Sequence, residues 1–163
     1  MASGGPTIET LTIEGFKSIV SATLEPARLN VLIGANGSGK SNLLEAIGLL
    51  GCAVSGKVDE EAFAFRGIRP GRHRLMQTAL QGHTHLTPRL AARVGDVNYD
   101  VALDTPNGDV SPRWRFRSET LMLGETPVLT RSEQAAELLS PAGRTPLRPD
   151  AKAGACPLVR ASP

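Results

Sequence analysis

Eight consecutive residues carry the clearest chemistry in this chain: Gly34-Ala35-Asn36-Gly37-Ser38-Gly39-Lys40-Ser41. Their types and spacing match the phosphate-binding pattern G-x-x-x-x-G-K-[ST], or Walker A, in full. Glycines at 34, 37 and 39 let the backbone curl so that successive N–H groups point inward, a nest for phosphate oxygens. A helix opening behind the loop adds the partial positive charge of its N-terminus. In such a loop Lys40 reaches the β- and γ-phosphates, and the Ser41 hydroxyl ligates Mg²⁺. The chemistry implied is the grip of a Mg²⁺-nucleotide.

The neighbouring elements must hold this loop. Leu29-Asn30-Val31-Leu32-Ile33 is a short apolar run just before it, which suits a strand buried on both sides, as in a parallel sheet. After it, Leu43, Ala46, Ile47, Leu50 and Ala53 recur at helical spacing, and Leu44 and Leu49 widen the stripe. They predict a mostly buried helix from near residue 39 to 54. Upstream, Leu11 and Ile13 alternate with Thr10, Thr12 and Glu14, and Val20, Ala22 and Leu24 alternate with Ser21 and Thr23. These are two strands joined by a turn at 15–18 and ended by Pro26.

Downstream, residues 58–63 read as a short helix with acids at its start. Val97, Tyr99, Val101 and Leu103 then alternate with polar neighbours. A turn at 106–109 leads to Val110, Trp114 and Phe116, and 119–123 suggests a third strand. This is an antiparallel meander with one buried face. Residues 132–139 read as two helical turns. From 141 to 163 there are five prolines and five alanines, and no aromatic follows residue 116. Such a tail has little apolar surface to offset its ordering entropy, so disorder is expected.

The run from Ile33 to Ile47, with Gly34-Ala35-Asn36-Gly37-Ser38-Gly39-Lys40-Ser41-Asn42-Leu43-Leu44-Glu45 inside it, resembles the ATP-binding head of the SMC/RecF branch of ABC-type ATPases. That branch includes ATPases of overcoming-lysogenization nucleases and of phage-defence systems. Ile13-Glu14-Gly15-Phe16-Lys17-Ser18 resembles the element that opens these heads. The resemblance is specific over 8–54, loose over 55–125 and absent after about 126. It implies an α/β fold: part of a P-loop NTPase head, with a mixed sheet, an antiparallel flank and a disordered C-terminal tail. Residues 1–125 would form the N-terminal lobe and 126–163 the Pro/Ala-rich tail.

The same resemblance implies ATP and Mg²⁺ as cofactors. The backbone from Asn36 to Ser41 would wrap the phosphates, with Asn36 near the γ-phosphate and Asn42 supporting the loop. Lys17 would touch the nucleotide or remain a solvated turn lysine. Gln77 and Gln81 are the nearby candidates for a glutamine that helps hold Mg²⁺, or are surface residues. DNA repair, chromosome maintenance and phage defence share this head, so DNA is a partner by resemblance alone.

Hydrolysis in the family also needs a Walker B segment, four apolar residues followed by Asp-Glu. Val101-Ala102-Leu103-Asp104 comes nearest, but Thr105 stands where Glu should. The serine-glycine signature has only a faint echo at 139–143. The expectation is therefore a lobe that binds without finishing the reaction, the N-terminal part of a larger ATPase through truncation or frame disruption. It would be completed by a head-to-head dimer or a complementary half, or act as a regulatory module pairing with full-length relatives.

Other clusters have ordinary readings beside functional ones. Arg66, Arg69, Arg72 and Arg74 could meet phosphates or form a solvated loop. Arg113, Arg115 and Arg117 make one polar strand face beside Trp114 and Phe116. His83 and His85 lack a third metal ligand. The chain has 163 residues, a formal net charge of +2 and two cysteines, Cys52 and Cys156. That charge is too mild to demand nucleic acid or an anionic membrane. Two cysteines suit a reducing cytoplasm. Neither an apolar run of membrane-spanning length nor a signal-peptide pattern at the start is present.

Overall fold

A computed structural model describes residues 7–69, 87–104, 114–132, 136–140 and 143–147. Its elements are β1 (Thr10–Phe16), β2 (Ile19–Leu24), α1 (Lys40–Val54), α2 (Glu60–Phe65), β3 (Arg89–Val94), β4 (Val97–Asp104), β5 (Arg115–Leu123), β6 (Thr126–Ser132), β7 (Ala136–Ser140) and β8 (Gly143–Leu147). The strands form one sheet in the order β2-β1-β3-β4-β5-β6-β7-β8. Every pairing is antiparallel.

The period-two pattern sets which face is buried. Leu11 and Ile13 lie opposite Ala92 and Leu90, which in turn oppose Tyr99 and Val101. These side chains join Ala46, Leu49, Leu50, Ala53 and Phe63 of the two helices in one core. Removing such side chains from water is the main favourable term in folding. The other face carries Glu14, Arg89 and Asp100, linked by ion pairs. A bulge near Arg117 shifts the β4–β5 register, so Phe116 and Glu119 both face the core side.

Helix α1 covers the expected span, and α2 starts two residues later than the sequence suggests. The Asp59 side chain caps α2 by accepting from the Ala62 N–H at 2.8 Å. Strand β3 was legible as alternation of Leu90, Ala92 and Val94 with Arg89 and Arg93, but the sequence reading passed over it.

Four expectations need correction. The sheet is antiparallel over the described residues, not mixed. The run at 29–33 is extended but joins no strand, with Leu29 82% and Ile33 90% exposed. A doubly buried strand needs neighbours at both edges, and the described residues put none there. Helix α1 is less buried than its stripe suggested, because Leu44 and Ile47 face outward. Finally, the helical turns expected at 132–139 give way to β7, where Leu138 pairs with Leu129 and Glu137 with Thr130. Helix-favouring residues yield here to a neighbouring strand that supplies both hydrogen bonds and a partner for Leu138.

The expected boundary at 125 thus falls in the Gly124-Glu125 turn of a hairpin, and the sheet continues through 147. Pro127 sits where a register shift interrupts the β5–β6 ladder, and Pro146 lies on the edge strand β8, both positions that tolerate a missing N–H. Residues 133–135, 141–142 and 148–163 of the expected tail lie outside the described residues.

Candidate functional site

The loop at 34–39 leads directly into α1. Gly39 is the N-cap residue, with φ of 93°, a left-handed value that a side chain would strain. No side chain caps the helix start, so the first-turn N–H groups keep their capacity to donate. At Gly34 a Cβ would stand 2.8 Å from the Ser38 Oγ, closer than packing permits. A side chain at Gly34 would therefore force the Ser38 side chain to move.

Lys40 folds back over the loop. Its Nζ donates to the carbonyl oxygens of Gly34 at 2.7 Å and Ala35 at 2.6 Å, and to the Ser38 Oγ at 3.3 Å. The ammonium is thus held inside the loop by acceptors from both of its ends. Asn36, Gly37, Ser38 and Ser41 are exposed, which leaves the mouth of the loop open. Asn42 turns the other way and donates from Nδ2 to the Ser18 Oγ at 2.6 Å.

Lys17 lies at the tip of the β1–β2 hairpin with φ of 51°, the single positive value outside glycine among the described residues. Its Nζ is bonded to the Glu45 Oε2 and lies 5.6 Å from the centroid of the Phe16 ring. Glu45 is a buried acid in the middle of α1. Its Oε1 accepts from the Arg69 Nε at 2.6 Å, and its Oε2 from the Arg69 backbone N–H at 3.3 Å. Burial pushes this carboxyl up, but the hydrogen bonds from Lys17 and Arg69 outweigh it and hold the group below the usual carboxylate range. Sequence reading missed Glu45 as a site residue; its one signal was an acid inside an apolar stripe.

Asp104, the nearest approach to a Walker B acid, pairs with Arg115 across the β4–β5 ladder at 3.4 Å. Arg117 donates to Thr87. Gln77, Gln81, Arg72, Arg74, His83, His85, Arg113 and Cys156 lie outside the described residues. Cys52 is buried, and burial pushes its thiol up, away from a reactive thiolate. The described residues hold no cluster of three metal-ligating side chains.

A protein-family model described as "AAA domain, putative AbiEii toxin, Type IV TA system" matches residues 29–132, more than half of the chain. The chain belongs to this AAA-domain family. The match spans the glycine-rich loop, both helices and strands β3 to β6. Among curated proteins, this AAA-domain chain is similar to the DNA replication and repair protein RecF of several bacteria. It is 48% identical to that of Stutzerimonas stutzeri over 63 residues, covering 38% of this chain and 15% of the relative. The RecF of Idiomarina loihiensis is 37% identical over 81 residues, covering 49% and 19%. That of Shewanella piezotolerans is 52% identical over 49 residues, covering 29% and 14%. The chain thus spans less than a fifth of each of these relatives, and it is an SMC/RecF-like AAA ATPase sequence. No helix among the described residues is long and apolar enough to cross a membrane.

Proposed function

We propose that this chain binds Mg²⁺-ATP through residues 34–42. The observation that carries this reading is the Lys40 ammonium held at the centre of a glycine loop ahead of an uncapped helix start. Backbone N–H groups from Asn36 to Ser41 would take phosphate oxygens in place of water. Lys40 would exchange its two carbonyl acceptors for phosphate oxygens, gaining charge-assisted bonds. Ser41 would ligand Mg²⁺, and Asn42 would brace the first turn through Ser18. Gly34, Gly37 and Gly39 supply the close turns, and Ser38 lines the loop. Lys17 belongs to the site through the turn it shares with Ser18. The bound Mg²⁺-nucleotide would supply the group-transfer chemistry of the ATPase family.

We further propose that the chain alone releases phosphate negligibly, since its sequence contains no apolar run followed by Asp-Glu. Its role would lie in DNA repair, DNA maintenance or phage defence. That assignment is supported by the relatives' names and by family resemblance, and the net charge of +2 adds nothing to it. Isothermal titration with Mg²⁺-ATP tests the binding claim: saturable one-to-one binding by the folded chain is expected, and no heat of binding overturns it. A phosphate-release assay with a robust rate dependent on Lys40 would overturn the claim of negligible turnover.

A second reading has its own observation. The exposed apolar run at 29–33, with Leu44 and Ile47 also outward, is a surface that favours a covering partner. In this reading the chain pairs with a complementary ATPase half or a second head.

A further inference from the structure

Glu45 has a side chain only 6% exposed, and its neighbours Leu43, Leu44, Ala46 and Ile47 are apolar. A buried carboxylate is costly unless it is paired and hydrogen-bonded. Glu45 meets that condition with groups from two distant segments, Lys17 at the β1–β2 tip and Arg69 beyond α2. One helical turn nearer the loop, on the same face of α1, Asn42 binds Ser18. The Ser18 Oγ also lies 3.4 Å from where a Cβ on Gly39 would stand. Two successive turn residues, Lys17 and Ser18, are thus pinned to α1 at positions 45 and 42, and the second lies beside the N-cap.

The left-handed backbone at Lys17 shows that the turn is held against a local preference. For a residue with a Cβ that conformation is disfavoured. The side chain of that residue is tied down by its ion pair with Glu45. Further along α1, Gly48 lets the Arg66 carbonyl oxygen approach to 3.1 Å from its would-be Cβ. The segment at 66–69 therefore runs along the same helix face and ends with Arg69 on Glu45.

We propose that Glu45 is a positioning residue of the phosphate site. It clamps the Lys17-Ser18 turn onto the first turns of α1, and so sets the placement of Gly39, Ser41 and Asn42 for the nucleotide. This rests on the nucleotide-binding reading and deepens it. In this arrangement Lys17 acts through Glu45, as a tether, rather than as a phosphate ligand.

The test is a double-mutant cycle on the full chain with two readouts. Mg²⁺-ATP affinity is measured for the wild type, Glu45→Gln, Lys17→Ala and the double variant. Amide hydrogen exchange at 15–18 and 39–42 is measured without nucleotide. The clamp predicts that each single variant weakens ATP binding about 10-fold and that the double variant is no weaker, because coupled residues are not additive. It also predicts faster exchange in both segments for every variant. A folded Glu45→Gln chain with wild-type affinity, or single effects that add, overturns the proposal. Additive effects would mark Lys17 as a direct phosphate ligand. If Glu45→Gln does not fold, Lys17→Ala carries the same two readouts, and wild-type affinity with unchanged exchange in it overturns the clamp. If even the wild type binds no ATP, the nucleotide reading fails, and the exchange arm still decides the clamp: faster exchange supports it and unchanged exchange overturns it.

Discussion

The Lys40 Nζ lies 2.7 Å from the carbonyl oxygen of Gly34, so the residue that closes the phosphate loop is bonded to the one that opens it. The loop is therefore organised around its own cation. In the proposed function, a phosphate entering that cradle would meet a charge already in place, which would reduce the ordering needed on binding.

The same close turn makes Gly34 sensitive to a single methyl group. Gly34→Ala puts a Cβ 2.8 Å from the Ser38 Oγ, so Ser38 must move from its place beside the Lys40 ammonium. Mg²⁺-ATP affinity should fall about 10-fold, roughly 1.4 kcal/mol. Global stability should stay within about 0.5 kcal/mol, since the loop is exposed and outside the core. Titration calorimetry and urea unfolding check the two halves.

Acid should act on stability partly through Glu45. Its carboxyl is held low in the folded chain, so its stabilisation is fully present above the unfolded value of about 4.3 and is lost as pH falls through the lower folded value. The stability gap between wild type and Glu45→Gln should therefore narrow as pH falls below about 4.3. Urea unfolding across pH 7 to 3 measures it; a gap that widens on acidification contradicts the account.

Glu119 should behave with the opposite sign. Burial pushes its carboxyl up, against the pull of the Tyr99 hydroxyl at 2.7 Å and of Arg131. Its contribution to stability is fully present below the unfolded carboxylate value and is lost as pH rises through the folded one. Arg131 lies 3.0 Å from it without an aligned hydrogen bond, and rests over the Phe116 ring at 4.3 Å. Arg131→Met should destabilise by roughly 3–5 kcal/mol, because it leaves a buried charge uncompensated. The double variant Glu119→Leu with Arg131→Met should recover much of that loss in urea unfolding.

The exposed run at 29–33 gives a sharp stability test. Val31→Ser and Ile33→Ser should change folding stability by less than about 0.5 kcal/mol, as surface substitutions do. They should lower any self-association seen by light scattering. A loss of about 2 kcal/mol in the monomer would show that these side chains are buried.

These residues also show which features local sequence makes legible. Helix α1 and the β1–β2 hairpin were readable because periodicity is a property of neighbouring residues. The run at 29–33 was misread because burial of a strand depends on partners that its own residues do not specify. At 136–140, helix propensity lost to pairing with β6. Glu45 was passed over because its meaning comes from Lys17, which arrives from 28 residues away along the chain.

The most direct measurement of the central claim is a side-by-side titration of wild type and Lys40→Ala with Mg²⁺-ATP, both shown to be folded. Removing the ammonium deletes charge-assisted phosphate bonds worth about 1.5–3 kcal/mol, so the account predicts affinity weakened about 10- to 100-fold. Equal affinity in the two proteins would contradict it.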